Sequence, residues 1–182
     1  IRVDGRAAHG SLVTGNFFQV LGVQAALGRP LLPEDDERFA GRPVVVLSHA
    51  GWRKLFGGDR EVIGRRVAIS GAPHEIVGVM PDGFRGLAVT PPDFWAPLSL
   101  AGQLRGTSEG NEGIEVVGRL KPGLSPEAAT PVLAAWASGR ADLKRRQGHP
   151  IHVSLSPRQG TFSVDVMDAL LTFLPLFFAF GL

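Results

Sequence analysis

Histidines are the residues of this sequence best suited to acid-base chemistry or to holding a metal ion. They are His9, His49, His74, His149 and His152. No two of them form the His-x-x-x-His pair beside a glutamate that holds zinc on one face of a helix. The last two are three residues apart, but Pro150 between them disfavours a helix. We therefore predict no metal site and interpret the histidines as surface or turn residues.

Two other patterns bear on catalysis or ion binding. Ser48 and His49 are adjacent, but Ser48 does not lie in a Gly-x-Ser-x-Gly turn, and its position before an apolar helical pattern favours a helix cap. The acidic run Glu34 to Glu37 lacks the alternating acids and central glycine of a calcium-binding loop, so a solvated turn is expected. We predict no catalytic serine and no calcium site.

Glycine is abundant, with 24 residues, but its spacing does not match a nucleotide-binding loop. Neither Gly-x-Gly-x-x-Gly nor Gly-Lys-Ser/Thr occurs. We therefore expect that this chain does not itself bind and hydrolyse ATP. The sequence predicts a protein that is not an enzyme, with no catalytic, cofactor-binding or metal-ligating residues.

The elements that would position any such residues can be read from the apolar pattern. Val44–Leu47 is a continuous β-branched run, typical of a strand buried on both faces. Ser48 then begins a helix with an apolar face. Arg65–Ser70 and His74–Met80 alternate around a Gly-Ala-Pro turn and predict a β-hairpin.

Weaker signals surround this centre. Ala7–Thr14 predicts a strand, followed by a short helix that Thr14 caps and Gly22 ends. Phe94–Leu98 predicts an edge strand, because Pro97 cannot donate to a β-ladder.

In the second half of the chain, the clearest prediction is a helix that begins at Ser125-Pro126 and runs to about Gln147. Its apolar stripe consists of Ala129, Val132, Leu133, Trp136 and Ala137. Further strands are predicted at Glu112–Leu120 and Ile151–Leu155. Because strands and helices are mixed without βαβ spacing, the predicted class is α+β.

Composition agrees with a folded domain, since 44% of the residues are hydrophobic and 20% are charged. The net charge of +2 gives no general case for binding nucleic acid. The cluster Lys144-Arg145-Arg146 is interpreted as the cationic end of a helix, with a phosphate or lipid-headgroup contact as the alternative. The sequence has no cysteine, which excludes disulfides and thiolate zinc sites.

The last segment, Ala169–Leu182, has no charged side chain. A proline within an apolar helix is tolerated in membranes, and the chain stops before any helix-end signal. We predict the start of a truncated transmembrane helix, with a buried core helix as the alternative. The chain also begins without Met, and we interpret it as a fragment.

Read in order, these segments resemble the extracytoplasmic core domain of MacB-type ABC-transporter permeases, in particular the duplicated orphan permeases of that family. The resemblance covers about residues 13 to 125. It begins with VTGNFFQVLGVQAALGRPLLPEDD and continues with PVVVLSHAGWRKLFGGDREVIGRRVAISGAPHEIVGVMPDGF, DFWAPLSL and VVGRLKPGLSPEAA.

The resemblance implies an N-terminally truncated periplasmic core domain over residues 1–165 and the start of the second membrane helix over residues 166–182. It also implies two lobes, an α+β "porter" lobe and an inserted "sabre" lobe. The expected location is the bacterial inner membrane, with the domain facing the periplasm. No catalytic residues carry over from the family.

The implied partners are an ABC ATPase subunit, a second permease copy or paired duplicated half, and a periplasmic adaptor or outer-membrane protein. The expected function is non-catalytic transmission of ATP-driven conformational change to export or to mechanical work outside the membrane. The alternative is an extracytoplasmic binding module for a lipoprotein, peptide or small molecule. In that alternative, loop 81–93 and the basic helix end form the rim of the site.

Overall fold

A curled, mixed β-sheet is the central element of this protein, seen here in a computed structural model. The structure describes residues 1–37, 42–104, 115–139, 153–156, 158–159 and 162–163. Backbone contacts divide the chain into two compact units, Ile1–Glu115 and Val116–Leu182. The sheet belongs to the first unit.

The strands of this sheet follow the order β2-β1-β6-β7-β5-β8-β3, and β4 pairs with β7 outside that path. They are β1 (Arg2–Val3), β2 (Arg6–Ala7), β3 (Gly10–Val13), β4 (Leu27–Gly28), β5 (Val44–Leu47), β6 (Arg66–Ile69), β7 (Ala72–Val79) and β8 (Phe94–Pro97). Two pairings are parallel, β5 with β7 and β3 with β8, and the others are antiparallel. The sheet is therefore mixed, as the α+β class predicted.

The sheet curls because β2 and β3 belong to one extended segment. They lie at opposite ends of the strand order, yet only Ala8 and His9 separate them in sequence. The segment pairs with β1 at its start and with β8 at its end. Gly10 is required where it bends, because a Cβ atom there would overlap the ring of Phe94.

Two apolar cores cover the two faces of the sheet. The first core is formed by Val3, Val45, Leu47, Leu55, Val62, Val67, Ile69, Ile76, Val79, Phe94, Ala96, Leu100 and Leu104. The second core is formed by Val13, Phe18, Leu31, Val44, Val46, Val77, Met80 and Trp95. Strand β5 supplies alternate residues to each core, which explains its unbroken apolar sequence. Each fully buried aliphatic or aromatic side chain contributes about 1.5–3 kcal/mol.

The helices are α1 (Phe17–Leu21), α2 (His49–Phe56), α3 (Ala101–Leu104) and α4 (Pro126–Gly139). Helix α2 starts and stops as predicted. Ser48 Oγ accepts a 2.9 Å hydrogen bond from the backbone N–H of Gly51, and Gly57 ends the helix with φ of 65°. Leu55 anchors α2 in the first core.

Short 3-10 helices cover Pro33–Asp36, Arg60–Val62 and Leu98–Leu100. In the second unit, α4 is accompanied by an antiparallel strand pair, β9 (Arg158–Gln159) and β10 (Phe162–Ser163).

Several predictions from the sequence are confirmed. They are the Val44–Leu47 strand, the Ser48 cap, the hairpin of β6 and β7, the extended segment within Ala7–Thr14, and the Gly22 helix end with φ of 72°. The predicted Gly-Ala-Pro turn of that hairpin is wrong: Ser70 and Gly71 form the turn, and Ala72 and Pro73 pair with Ile69 and Ala68.

The predicted edge position of β8 is wrong. This strand lies between β5 and β3, and all its residues are buried. Its pairing with β5 involves Phe94 and Trp95. Pro97 lies beyond that pairing, so its missing N–H leaves no gap in the ladder with β5.

Thr14 is not the cap of α1. The residue before the helix is Asn16, which makes no side-chain cap, and Thr14 Oγ1 donates to Asn16 Oδ1 over 2.7 Å. The backbone carbonyl of Thr14 instead accepts from the N–H of Phe17. The Thr14 hydroxyl is therefore used within the turn.

The second half of the chain departs most from expectation. Residues 115–120 and 153–156 have no regular secondary structure, so the strands predicted at Glu112–Leu120 and Ile151–Leu155 are wrong over their described parts. Helix α4 is present, and Ala129 and Ala137 of its predicted stripe are buried. Its larger members are exposed, with Val132 at 66% and Trp136 at 60%, so the stripe is buried only in part. Residues 140–150, with the basic cluster, lie outside the described residues.

The predicted start of a membrane helix over residues 166–182 also lies outside the described residues and stays a prediction. Within the described ranges, no helix has the length and apolarity required to cross a bilayer. The two lobes expected within residues 1–165, and the domain border after residue 165, stay predictions as well.

Candidate functional site

A basic cavity lies beside the C-terminal end of α2. Its volume is about 530 Å³. In the part of the chain that the structure describes, four cationic side chains line it, together with one carboxylate and an aromatic ring: Arg6, Arg53, Lys54, Arg65, Asp4 and Phe56. We call this feature the basic cavity.

Three segments bring the cations together. Arg53 and Lys54 occupy the last turn of α2, where the helix dipole favours positive charge. Arg6 comes from β2, and its Nη1 donates a 2.7 Å hydrogen bond to the backbone carbonyl of Leu55. The guanidinium of Arg65 lies 5.5 Å from the centre of the Phe56 ring, within the range of a cation-π contact.

Asp93 binds Lys54, the fourth cation of the cavity, and ties loop 81–93 to the sheet. Its Oδ2 accepts from Lys54 Nζ over 2.7 Å and from the backbone N–H of His9 over 2.8 Å. Its backbone N–H donates to the carbonyl of His9, and its own carbonyl accepts from the N–H of Ser48. Asp93 thus fixes Lys54, the start of α2 and the bend before β3 relative to one another.

Positive charge exceeds negative charge in the basic cavity. Among the described residues, Asp4 is its one acidic lining residue, and Asp4 Oδ1 accepts a 2.8 Å hydrogen bond from the backbone N–H of Ala68. Lys54 is neutralised by Asp93. Arg6, Arg53 and Arg65 have no carboxylate partner among the described ion pairs, so the cavity attracts anions.

A buried ion pair, Arg29 with Asp35, lies elsewhere on the first unit. Asp35 is fully buried and accepts from both terminal nitrogens of Arg29, at 2.5 and 3.0 Å. Burial alone would raise the pKa of Asp35, but the Arg29 hydrogen bonds, the backbone N–H of Leu32 and the charges of Arg29 and Arg42 outweigh it. The pKa is therefore lowered. This pair holds a turn together.

The acidic run is not the solvated turn that the sequence predicted. Asp35 is buried, and Asp36 accepts from the backbone N–H groups of Gly15 and Ser99 over 3.2 and 2.7 Å. The sequence pattern could not show this, because both donors come from distant segments. The run therefore joins three parts of the first unit.

The histidines have separate surroundings. His9 contributes backbone groups to Asp93, and His49 Nδ1 lies 3.2 Å from Asp82 Oδ1. His74 is not a surface or turn residue as predicted: it is 1% exposed, within β7. The pair His149 and His152 lies outside the described residues.

His74 is the buried titratable group with incomplete hydrogen bonding. Its Nδ1 lies 2.9 Å from the carbonyl of Ala72, so Nδ1 carries the proton and Nε2 is an acceptor. Nε2 is buried and meets no hydrogen-bond partner in the described part of the chain. Burial lowers the pKa of His74, against the opposite effect of the Ala72 carbonyl.

One sequence pattern was missed. Gly106-Thr107-Ser108-Glu109-Gly110 has the letters of a nucleophile elbow. That elbow requires a strand before the serine, whereas helix α3 ends two residues before Gly106, at Leu104. The segment itself lies outside the described residues, and the pattern carries no functional assignment.

The basic cavity was also missed. Lys144-Arg145-Arg146 is the basic cluster that stands out in the sequence, because those residues are consecutive. The pairs Arg53-Lys54 and Arg65-Arg66 were the available signal, but Arg6 joins them through the curl of the sheet.

The sequence matches the family described as "MacB-like periplasmic core domain" over residues 2–135. The fold is similar to that of the periplasmic region of MacB from Actinobacillus actinomycetemcomitans, with a TM-score of 0.54 and 16% identity. That alignment covers 90% of this chain and 64% of the MacB structure, so the chain spans less than two thirds of the relative.

Two further solved structures are also similar to parts of this chain. The extracellular domain of the ABC-type transporter YknZ from Gram-positive bacteria has 21% identity and a TM-score of 0.43, covering 54% of this chain and 47% of its own. A domain of a putative permease protein from Porphyromonas gingivalis has 21% identity and a TM-score of 0.49, covering 88% and 71%. No curated protein matches the sequence significantly.

Proposed function

This chain belongs to the family of MacB-like periplasmic core domains, and on that premise we propose that it is the extracytoplasmic domain of an ABC-transporter permease. In this proposal it has no catalytic role and needs no cofactor. It transmits conformational change, driven by ATP binding elsewhere, to export or to mechanical work outside the membrane.

The observation that supports this role is the stiffness built into the first unit. Strands β5 and β8 are buried along their whole length, between two apolar cores. Asp93 and Asp36 add hydrogen bonds that tie loops to the sheet. A body that transmits a displacement must move without deforming, and close packing provides this resistance.

The proposed partners follow from the same role. ATP binds to a separate ABC ATPase subunit on the cytoplasmic side, and the permease works as a homodimer or beside a paired duplicated half. A periplasmic adaptor or outer-membrane protein receives the motion. Residues 166–182 begin the membrane helix, the core domain over residues 1–165 comprises a porter lobe and a sabre lobe, and the domain faces the periplasm from the bacterial inner membrane.

The test measures distances in the full-length permease with its ATPase, reconstituted in lipid nanodiscs. The 182 residues contain no cysteine, so single cysteines can be placed here once any cysteines elsewhere in the permease and in the ATPase are replaced. One label at Arg60→Cys on each permease copy reports movement between domains. The exposed pair Arg60→Cys and Arg85→Cys on one copy reports deformation within the first unit.

We expect ATP, trapped by a hydrolysis-deficient ATPase, to shift the distance between domains and to leave the distance within the domain unchanged. An unchanged distance between domains would refute transmission of motion. An equal change within the domain would refute the stiff body, because the two labels would then lie on parts that move separately.

A further inference from the structure

We propose that the basic cavity binds a phosphate-bearing anion, either free phosphate or the phosphate of a lipid headgroup. This inference does not depend on the proposed permease function. It rests on the number of cations in the cavity, on how they are held, and on the shape of the space between them.

The helix dipole explains part of the cluster. Arg53 and Lys54 lie in the last turn of α2, where cations are favoured in any helix. Arg6 and Arg65 come from other segments, and placing them beside Arg53 is unfavourable unless an anion joins the three, since Asp93 pairs with Lys54 alone. The convergence of three segments therefore points to a ligand.

Arg6 and Arg65 are pre-oriented, and much of the donor capacity of Arg6 is unused. Arg6 engages Nη1 with the Leu55 carbonyl, and Arg65 is held over the Phe56 ring. A guanidinium has five N–H donors, so most of the Arg6 donors stay available. Holding the side chains in place before binding reduces the entropy lost when a ligand arrives.

The shape favours a compact oxyanion over a protein surface. The space is concave, at about 530 Å³, within the range of small-molecule sites. Cations from three segments line it, which suits the several oxygens of a phosphate group, whereas one arginine fork already satisfies a carboxylate. An acidic protein segment is the competing occupant, and the test includes it.

The experiment measures binding of inorganic pyrophosphate to the 182-residue chain by isothermal titration calorimetry at low ionic strength. The test variant is Arg53→Ala/Arg65→Ala. The control is Arg60→Ala/Arg85→Ala, which removes the same charge from exposed positions outside the cavity. Since charge-assisted hydrogen bonds are lost, we expect the Kd of the test variant to rise at least about tenfold and that of the control to change less than about twofold.

A second arm identifies the source of the phosphate. Flotation with vesicles of phosphatidylglycerol and phosphatidylcholine, against phosphatidylcholine alone, measures headgroup binding. If the test variant floats less than the control with the vesicles that contain phosphatidylglycerol, but not with pure phosphatidylcholine vesicles, the site binds a lipid headgroup. Equal flotation of both variants, with weakened pyrophosphate binding, assigns it to free phosphate.

Three results would overturn the proposal. The first is no binding of pyrophosphate or of anionic vesicles by the unmodified chain, and the second is equal weakening in test and control variants. The third is a poly-glutamate peptide that binds as tightly as pyrophosphate and is equally sensitive to the test variant. If circular dichroism shows that the double variant Arg53→Ala/Arg65→Ala is misfolded, the single variant Arg53→Ala replaces it. That single substitution breaks no described hydrogen bond or ion pair.

Discussion

Replacing Gly51 with alanine should destabilise the protein, although alanine normally favours a helix. Gly51 lies in the first turn of α2, directly against the backbone of Asp93. A Cβ atom at Gly51 would lie 2.7 Å from the carbonyl carbon of Asp93 and closer still to its oxygen. Since backbone cannot rotate away as a side chain can, α2 itself would have to move.

The expected change in the free energy of unfolding is the sum of opposing contributions. Overpacking costs about 1–3 kcal/mol, and movement of α2 weakens the hydrogen bond from the Ser48 N–H to the Asp93 carbonyl, worth about 1 kcal/mol. The helix propensity of alanine returns at most about 1 kcal/mol. We expect a net loss of about 2 kcal/mol in the free energy of unfolding, or roughly 6 °C in Tm for a chain of this size.

Urea denaturation, followed by tryptophan fluorescence and far-ultraviolet circular dichroism, measures this change. Gly102→Ala in α3 is the matched control, because a Cβ atom there meets open space. It should be neutral or stabilising by up to about 1 kcal/mol. If Gly51→Ala leaves the urea midpoint unchanged or raises it, as Gly102→Ala is expected to do, the close approach of α2 to Asp93 is refuted.

The other predictions concern buried charge. Asp35→Ala should cost about 2–3 kcal/mol in unfolding free energy, less than for a fully buried pair because the Arg29 side chain is 34% exposed. In urea denaturation, the double variant Asp35→Ala/Arg29→Ala should lose less unfolding free energy than the two single variants lose together. Equal losses would contradict the pairing. The lowered pKa of His74 means that the unfolded chain binds a proton which the folded form resists, so stability is complete above about pH 6.5 and falls as the pH drops. His74→Phe should remove up to about 1.4 kcal/mol per pH unit of this slope below about pH 6.5, whereas His9→Gln should retain it.

The centre of the fold was predictable because its signals are local. Val44–Leu47, the Ser48 cap and the β-hairpin each depend on residues within a few positions of one another. Propensity, capping and alternation act over such distances. The central position of β8 was not predictable, because it depends on where its neighbours in the sheet stop pairing.

The site depended on contacts that no window of the sequence contains. Arg6 reaches the carbonyl of Leu55 across 49 positions, and Asp93 reaches the N–H of His9 across 84. Charge patterns in sequence identify consecutive cations, such as Lys144-Arg145-Arg146, more readily than cations gathered by a curled sheet. His74 was misplaced for a related reason: a polar residue in an apolar strand gives no sign of whether its ring meets water.

The two proposals constrain each other through the stiffness of the first unit. A ligand shifts an equilibrium between two conformations only if it binds them with different affinity. The cations of the basic cavity are all attached to one closely packed sheet and its helix, so a rigid movement of the unit leaves the intrinsic affinity for free phosphate unchanged. A phosphate fixed in a membrane is different, because the movement changes its distance from the cavity. Occupancy by a lipid headgroup would therefore couple to ATP-driven motion, whereas occupancy by free phosphate would not.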